Sequence, residues 1–138
     1  MAAGRLLLQR IRSLGRARKD FAFETTLSGR GYLQFFRDLR RDGYELHIFF
    51  LWLNNVRLAE KRIADRVRKG GHNIPTPIVR RRFFKGLQNL FGIYRHSFDS
   101  IHIYDNSDIT LRPIATREAD QWQISDADTF QQLRGTHA

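Results

Sequence analysis

The sequence contains no cysteine, which excludes disulfide bonds, thiolate zinc sites and a cysteine nucleophile. Its longest apolar run, residues 48–53, is far shorter than the roughly 20 residues of a membrane-spanning helix, so we expect no such helix. Acidic residues are scarce, since 14 Asp and Glu stand against 24 Lys and Arg, for a net charge of +10. The surface must therefore attract anions such as nucleotides, nucleic acids or acidic lipids. We expect a cytoplasmic protein.

Sequence motifs for several kinds of catalysis are absent as well. There is no G-x-x-x-x-G-K-[ST] loop, whose backbone amides and lysine would hold nucleotide phosphates. No G-x-S-x-G elbow frames a serine, which argues against a hydrolase. The five histidines, at positions 47, 72, 96, 102 and 137, do not have the spacing of a metal site. We therefore expect no metal held by the protein itself, although magnesium could arrive with a nucleotide.

The apolar residues alternate between helical and strand patterns along the chain. Recurrence every three or four positions predicts helices at 4–19, 32–42, 56–67 and 76–94. Short apolar or alternating runs predict strands at 21–25, 44–53, 100–104 and 110–115. The run 44–53 has little alternation, as in a strand covered on both faces. This order predicts an α/β fold with a mostly parallel sheet and flanking helices, followed by an unassigned tail from 116.

Polar side chains follow several of the predicted strands. They are Glu24, Thr25 and Thr26, then Asn54 and Asn55, and then Asp105 and Asn106. Because ligands of parallel α/β folds bind at the carboxyl ends of the strands, these residues are candidates for a binding site. Glu24 and Thr26 can accept and donate hydrogen bonds to a sugar or nucleoside. By spacing alone the signal is weak, because Thr26 or Ser28 could simply cap the next helix.

The most distinctive local feature is a basic stretch at 66–75, followed by Arg80, Arg81 and Arg82. Arginine makes paired, charged hydrogen bonds to phosphate, and two adjacent glycines in the stretch would let a loop close over a ligand. A solvated charged face on two amphipathic helices explains the same residues without a ligand. A nucleic-acid patch is a third interpretation, since further basic residues surround the stretch, although interleaved exposed aromatic residues are missing. The residues alone leave these interpretations open.

Several elements together resemble the zeta-toxin family. They are the segment 21–31, the strand 47–53, the stretch 66–83 and the segment 104–107, and they follow the family's order. The resemblance identifies residues 1–115 as a partial kinase domain and leaves 116–138 as a carboxyl-terminal tail. It implies a three-layer P-loop kinase fold. It also implies phosphoryl transfer from ATP, with Mg²⁺, to a small-molecule hydroxyl such as that of UDP-N-acetylglucosamine.

The resemblance also implies roles for individual residues. Glu24 and Thr26 match the E-x-T element of the family, which implies contact with the acceptor substrate. The basic stretch matches the family's lid region. Candidates for contact with nucleotide phosphates are therefore Arg66, Arg68, His72, Arg81 and Arg82. No catalytic residue is assigned. The implied partners are a nucleotide, a small-molecule substrate and an antitoxin protein, with no membrane partner.

The sequence departs from the family pattern on its amino-terminal side. Family members place a strand, the P-loop, a helix and an aspartate that activates the substrate hydroxyl before the matched region, and the sequence lacks them. We expect a truncated kinase with little or no turnover of its own. The missing strand would leave a gap between segments 21–25 and 44–53, exposing strand edges and apolar side chains. The alternatives are a basic module that binds nucleic acid or other anions without catalysis, and a non-functional remnant.

Overall fold

The computed structural model describes residues 2–135, with side chains from residue 5 onward. Within this range the chain forms five α-helices, one 3₁₀ helix and a four-stranded sheet. The helices are α1 (Ala2–Arg16), α2 (Leu33–Arg41), α3 (Val56–Arg68), α4 (Thr76–Gly92) and α5 (Ala127–Gly135), and the 3₁₀ helix covers Arg95–Ser97. The strands are β1 (His47–Trp52), β2 (Ser100–Asp105), β3 (Arg112–Glu118) and β4 (Gln121–Ile124). The predicted α/β class is confirmed.

Local signals in the sequence explain where several helices begin and end. The side chain of Asn55 accepts a hydrogen bond from the Leu58 N–H at 2.9 Å and so caps α3. Pro77 lies in the first turn of α4, where its missing N–H would have had no helical partner. Gly43 and Gly70 follow α2 and α3 with φ of 94° and 93°, a left-handed conformation that glycine adopts without strain. These signals agree with the predicted helices to within a few residues.

The sheet is mostly antiparallel, so the prediction of a mostly parallel sheet is wrong. In the order β1-β2-β3-β4, β1 pairs in parallel with β2, whereas β2 with β3 and β3 with β4 pair antiparallel. The connections explain the difference. The crossover between β1 and β2 contains α3 and α4, as parallel neighbours require. Between β3 and β4 the chain turns at Ala119 and Asp120, with φ of 48° and 60°, which is typical of a tight antiparallel hairpin.

Residues 21–25 do not form a strand, so that prediction is also wrong. Ring contacts hold this segment in place of a hydrogen-bonded ladder. The Phe21 ring packs edge-on against Tyr44 with 6.0 Å between centroids, and the Phe23 ring lies 5.3 Å from that of Tyr32. The aromatic residues that suggested a strand thus pack the segment against the residues that precede β1 and α2.

The helices cover one face of the sheet. On this face Ile101, Ile103 and Ala115 are buried against apolar side chains of α1, α2, α4 and α5. Alternate residues of a strand point to the opposite face, and there Phe49 and Leu51 of β1 remain 62% and 51% exposed. None of the described helices combines the length and the apolar character needed to cross a membrane.

The chain beyond residue 115 contributes to this core. β4 extends the sheet beside β3, and α5 buries Phe130 and Leu133. Asp126 accepts a hydrogen bond from the Thr129 N–H at 3.1 Å, which caps the start of α5. Residues 136–138 of the predicted tail lie outside the described residues.

Candidate anion-binding site

A cavity of about 980 Å³ lies along the free edge of β1. Its walls are residues 21–27, residues 46–53, and the facing sides of α3 and α4. Much of the lining is apolar and includes Phe23, Ile48, Phe50 and Phe83. A cavity of this size and character is typical of a small-molecule site. It lies where the family resemblance predicts a gap, although the segment on its far side is not a strand.

Basic side chains of two helices line the cavity, and the lining residues have the same sequence spacing on both helices. On α3 the lining residues are Ala59, Arg62, Ile63 and Arg66, and on α4 they are Val79, Arg82, Phe83 and Gly86. Both sets follow i, i+3, i+4 and i+7, which is one face of a helix. Arginines therefore occupy the cavity-facing sides of α3 and α4 together with apolar residues. Their positive charge is concentrated on one wall of a partly enclosed space.

The arginines of this wall differ in their partners. Arg62 is half-buried and donates a hydrogen bond to the carbonyl oxygen of Ser107 at 3.2 Å, which holds it near the carboxyl ends of β1 and β2. The guanidinium groups of Arg66 and Arg82 make no hydrogen bond or ion pair with any residue from 5 to 135. In contrast, Arg80 of α4 does not line the cavity and forms an ion pair with Glu60 of α3. Unpaired cations on a cavity wall favour an anionic ligand.

The cavity brings together some of the residues predicted from the sequence and not others. Glu24, Thr26, Arg66 and Arg82 all line it. Arg68, His72 and Arg81 are exposed and do not line it. Arg68 instead forms an ion pair with Asp65, its neighbour on α3. The basic stretch therefore divides into residues that line the cavity and residues that do not, and Arg66 is exposed although it lines the cavity.

The segment that carries Glu24 and Thr26 is fixed against α4 and the turn that follows it. The Asn89 side chain, which is buried, donates a hydrogen bond from Nδ2 to the carbonyl oxygen of Leu27 at 2.8 Å. The Tyr94 hydroxyl donates to the carbonyl oxygen of Gly29 at 2.6 Å. Leu27 is 2% exposed and has a φ of 58°, so its side chain anchors an unusual turn in the core. These contacts hold the predicted acceptor residues at the mouth of the cavity.

Asp105, at the end of β2, belongs to an internal network and does not line the cavity. Its carboxylate accepts hydrogen bonds from the Ser107 hydroxyl at 2.5 Å and from Arg112 at 2.7 Å. Burial raises the pKa of Asp105, but the hydrogen bonds from Ser107 and Arg112 outweigh burial and lower the pKa below its ordinary value. The Ser107 hydroxyl also accepts from the Asn54 N–H at 2.9 Å. The polar residues after β1 and β2 thus connect the two strand ends.

Two cavity residues, Arg62 and Trp52, were not among the site candidates. The i, i+4 spacing of Arg62 and Arg66 is a signal that could have identified the first. Trp52 is 4% exposed, and its indole N–H has no hydrogen-bond partner among the described residues. An unpaired buried donor is unfavourable, so an acceptor atom of a ligand would be stabilised there. No pattern in the sequence predicts an unpaired indole.

The structure thus shows an α/β protein with a partly apolar cavity whose wall includes Arg62, Arg66 and Arg82. Comparison with known families shows that the chain belongs to the zeta toxin family, whose profile matches residues 2–115. The resemblance read from the motifs is thereby confirmed, and the family points to a P-loop kinase-like function. The chain is also 35% identical over 63 residues to an uncharacterized protein of Haemophilus influenzae, a match that covers 46% of this chain and 45% of that protein. No solved structure matches the chain.

Proposed function

We propose that this chain is a zeta-toxin-type phosphotransferase domain that binds ATP and a small-molecule hydroxyl in the cavity beside β1. The proposal rests on one observation: a single cavity is lined both by Arg66 and Arg82, whose side chains are unpaired, and by Glu24 and Thr26. Catalysis of phosphoryl transfer consists mainly of positioning the reactants and neutralising phosphate charge. The described elements would then be part of a three-layer P-loop kinase-like fold.

The cavity suits a nucleotide better than it suits a metal ion alone. Arg62, Arg66 and Arg82 have the charge and the planar donors to hold a triphosphate. No group of three or more metal-binding side chains occurs among the described residues, so phosphate oxygens would carry Mg²⁺. Bound ATP supplies the phosphoryl group. This chain's own contribution is to bind the phosphates and exclude water from the apolar part of the cavity.

The acceptor side of the cavity would be formed by Glu24 and Thr26. The hydroxyl of Thr26 lies 2.8 Å from that of Ser28, which leaves it able to exchange further hydrogen bonds with a sugar. Glu24 is exposed at the cavity wall, where its carboxylate can accept hydrogen bonds from hydroxyl groups. We propose a UDP-N-acetylglucosamine-like acceptor at this position.

Turnover by this chain alone is proposed to be low. The sequence has no G-x-x-x-x-G-K-[ST] loop, so it lacks the backbone amides that hold phosphates in a fixed geometry. Arginine side chains supply charge but lose conformational entropy when they are ordered around a ligand. They would therefore bind a triphosphate but would not align it for transfer, whereas a preorganised loop does align it.

Thermal unfolding with UDP-N-acetylglucosamine tests the acceptor site. A ligand at about 100 times its Kd stabilises a protein by about 2.7 kcal/mol, and we expect this stabilisation for the unmodified chain. In the Glu24→Gln variant this stabilisation should fall by about half or more. Glu118→Gln makes the same chemical change on β3, outside the cavity, and should retain it. An equal response of the two variants would contradict the proposed acceptor site.

A phosphotransfer assay on the same samples tests the proposed turnover. The full chain is incubated with labelled ATP, Mg²⁺ and UDP-N-acetylglucosamine, and the phosphorylated sugar is measured. We expect no product above the level without protein. Rapid transfer that is lost in Arg82→Gln would show that the arginines suffice without a phosphate loop, and would overturn the claim of low turnover.

A further inference from the structure

Exposed basic residues also occur on α3 and α4 outside the cavity. On α3 they are Arg57, Lys61 and Arg68, whose spacing of i, i+4 and i+11 places them on one face of the helix. On α4 they are Arg81 and Lys85, which are four residues apart and therefore neighbours on the helix surface. None of the five lines the cavity. We call these five residues the outer basic surface.

The two helices present the outer basic surface on the same side. An ion pair between Arg80 of α4 and Glu60 of α3 shows that the helices lie side by side. The cavity lies on one side of both helices, and the basic residues are about half a helical turn away from the residues that line it. The outer basic surface therefore lies on the side of both helices opposite to the cavity.

Little negative charge opposes these cations. Between residues 56 and 88 the only acidic residues are Glu60 and Asp65, and each already forms an ion pair with an arginine. The side chains of Arg57, Lys61 and Arg81 form no ion pair or hydrogen bond with any residue from 5 to 135. The surface is therefore positively charged and attracts polyanions.

α4 also exposes an aromatic ring among these cations. Phe84 is 41% exposed. It follows Arg81 by three positions, so the two side chains are neighbours on the helix surface, and it directly precedes Lys85. The ring of Phe83, which lines the cavity, packs edge-on against Phe84 with 5.0 Å between centroids. The sequence indicated no exposed aromatic residue among these basic residues, and the structure corrects this.

The combination of dispersed charge and one ring decides between the possible occupants. A membrane-binding helix inserts a face of several apolar side chains, and the centre of a protein interface is also largely apolar. Among the described residues of α3 and α4, Phe84 is the only large apolar side chain with this exposure. Duplex nucleic acid keeps its bases stacked and offers no base face to a ring. A single strand offers both phosphates and free base faces.

We propose that the outer basic surface and Phe84 bind single-stranded nucleic acid. A base stacks on the Phe84 ring, and the neighbouring phosphates contact Arg81 and Lys85. Proteins that bind single strands without sequence preference combine positive charge with aromatic stacking in this way. The inference goes beyond the proposed phosphotransfer and does not depend on it, because the two sites lie on opposite sides of α3 and α4.

Oligonucleotide binding to the full chain, measured by fluorescence anisotropy without nucleotide, tests the proposal. The probe is labelled oligothymidine of about 15 nucleotides, close to the upper size of such sites. We expect saturable binding that weakens as the salt concentration rises. Phe84→Leu keeps an apolar side chain but removes the ring, and it should bind about tenfold more weakly, whereas Phe84→Tyr keeps the ring and should retain the affinity. No binding by the unmodified chain, or equal binding by the two variants, would overturn the proposal.

A duplex of the same length separates stacking from an indirect effect on the helix. Its bases are paired and cannot stack on the ring, so Phe84→Leu should bind the duplex as the unmodified chain does. A tenfold loss, or about that, on both the duplex and the single strand would mean that the substitution changes the arrangement of the cations. That result would overturn the proposed stacking.

Two double variants of equal net charge separate the outer basic surface from the cavity. Lys61→Gln with Arg81→Gln changes the first, and Arg66→Gln with Arg82→Gln changes the second. We expect only the first pair to lower the slope of log affinity against log salt for oligothymidine, by about 1.4, since each contact with a single-strand phosphate contributes about 0.7. Equal weakening of oligothymidine binding by both pairs would overturn this inference. Failure of ATP binding by the unmodified chain would contradict only the proposed phosphotransfer.

Discussion

Gly86→Ala is expected to destabilise the chain by about 1–3 kcal/mol, as overpacked sites do. The usual effect of this substitution inside a helix is opposite, since alanine is favoured over glycine by about 0.5–1 kcal/mol. At Gly86 a Cβ atom would lie 2.4 Å from the carbonyl oxygen of Thr26. That oxygen belongs to the backbone and cannot rotate away, so α4 or the segment 21–27 must move. The displacement would also move Thr26 relative to the cavity.

Gly92→Ala is the matched control, because Gly92 is on the same helix and a Cβ there meets nothing within 4 Å. Denaturant unfolding of both variants and of the unmodified chain gives the comparison. We expect Gly92→Ala to unfold at the same denaturant concentration as the unmodified chain or slightly higher, and Gly86→Ala clearly lower. Two variants of equal stability would contradict the close contact between α4 and the segment that carries Thr26.

Tyr94→Ala is expected to cost about 3–5 kcal/mol, the range for removal of a buried aromatic side chain. The Tyr94 ring is 0% exposed and packs edge-on against Phe36 at 5.6 Å between centroids. Its hydroxyl also holds the carbonyl oxygen of Gly29 at 2.6 Å. Tyr94→Phe keeps the ring and should cost only about 1 kcal/mol, which separates packing from the hydrogen bond.

The same tyrosine predicts a dependence of stability on pH. Burial raises the pKa of Tyr94 above its ordinary value, because the interior disfavours the charged phenolate. In the unfolded chain the hydroxyl loses its proton near its ordinary pKa of about 10, while the folded chain still retains it. The contribution of Tyr94 to stability is therefore full below about pH 10 and falls as the pH rises above it. Chemical unfolding of Tyr94→Phe should lack this part of the decline, and an identical decline would contradict the assignment.

Much of the fold follows from local patterns in the sequence. The nearly unbroken apolar run at 44–53 predicted β1, and the Thr-Pro pair at 76–77 predicted the start of α4 to within one residue. The direction of strand pairing did not follow, because Ala119 and Asp120 adopt a hairpin turn without the Asn-Gly or Asp-Gly sequence that usually indicates one. The segment 21–25 has strand-like aromatic residues, but their packing against Tyr32 and Tyr44 depends on the tertiary structure.

The candidate site was predictable to a similar extent. The motif resemblance pointed to Glu24, Thr26 and the basic stretch. It could not tell which arginines line the cavity and which do not. That division depends on helical phase, since Arg82 lies on the apolar face of α4 with Val79 and Phe83 whereas Arg81 is turned towards solvent. The unpaired indole of Trp52 could not be predicted at all, because it depends on which neighbours the fold places around the ring.

The most direct test of the cavity as an anion site is calorimetric titration of Mg²⁺-ATP into two double variants of equal net charge. Arg66→Gln with Arg82→Gln removes two arginines from the cavity wall. Arg68→Gln with Arg81→Gln removes two arginines that are on the same helices but do not line the cavity. We predict that the first pair weakens binding by about a hundredfold, or about 1.4 kcal/mol for each arginine, and that the second pair leaves it nearly unchanged. Equal weakening by both pairs would mean that ATP responds only to the overall charge of the surface, which would contradict the account.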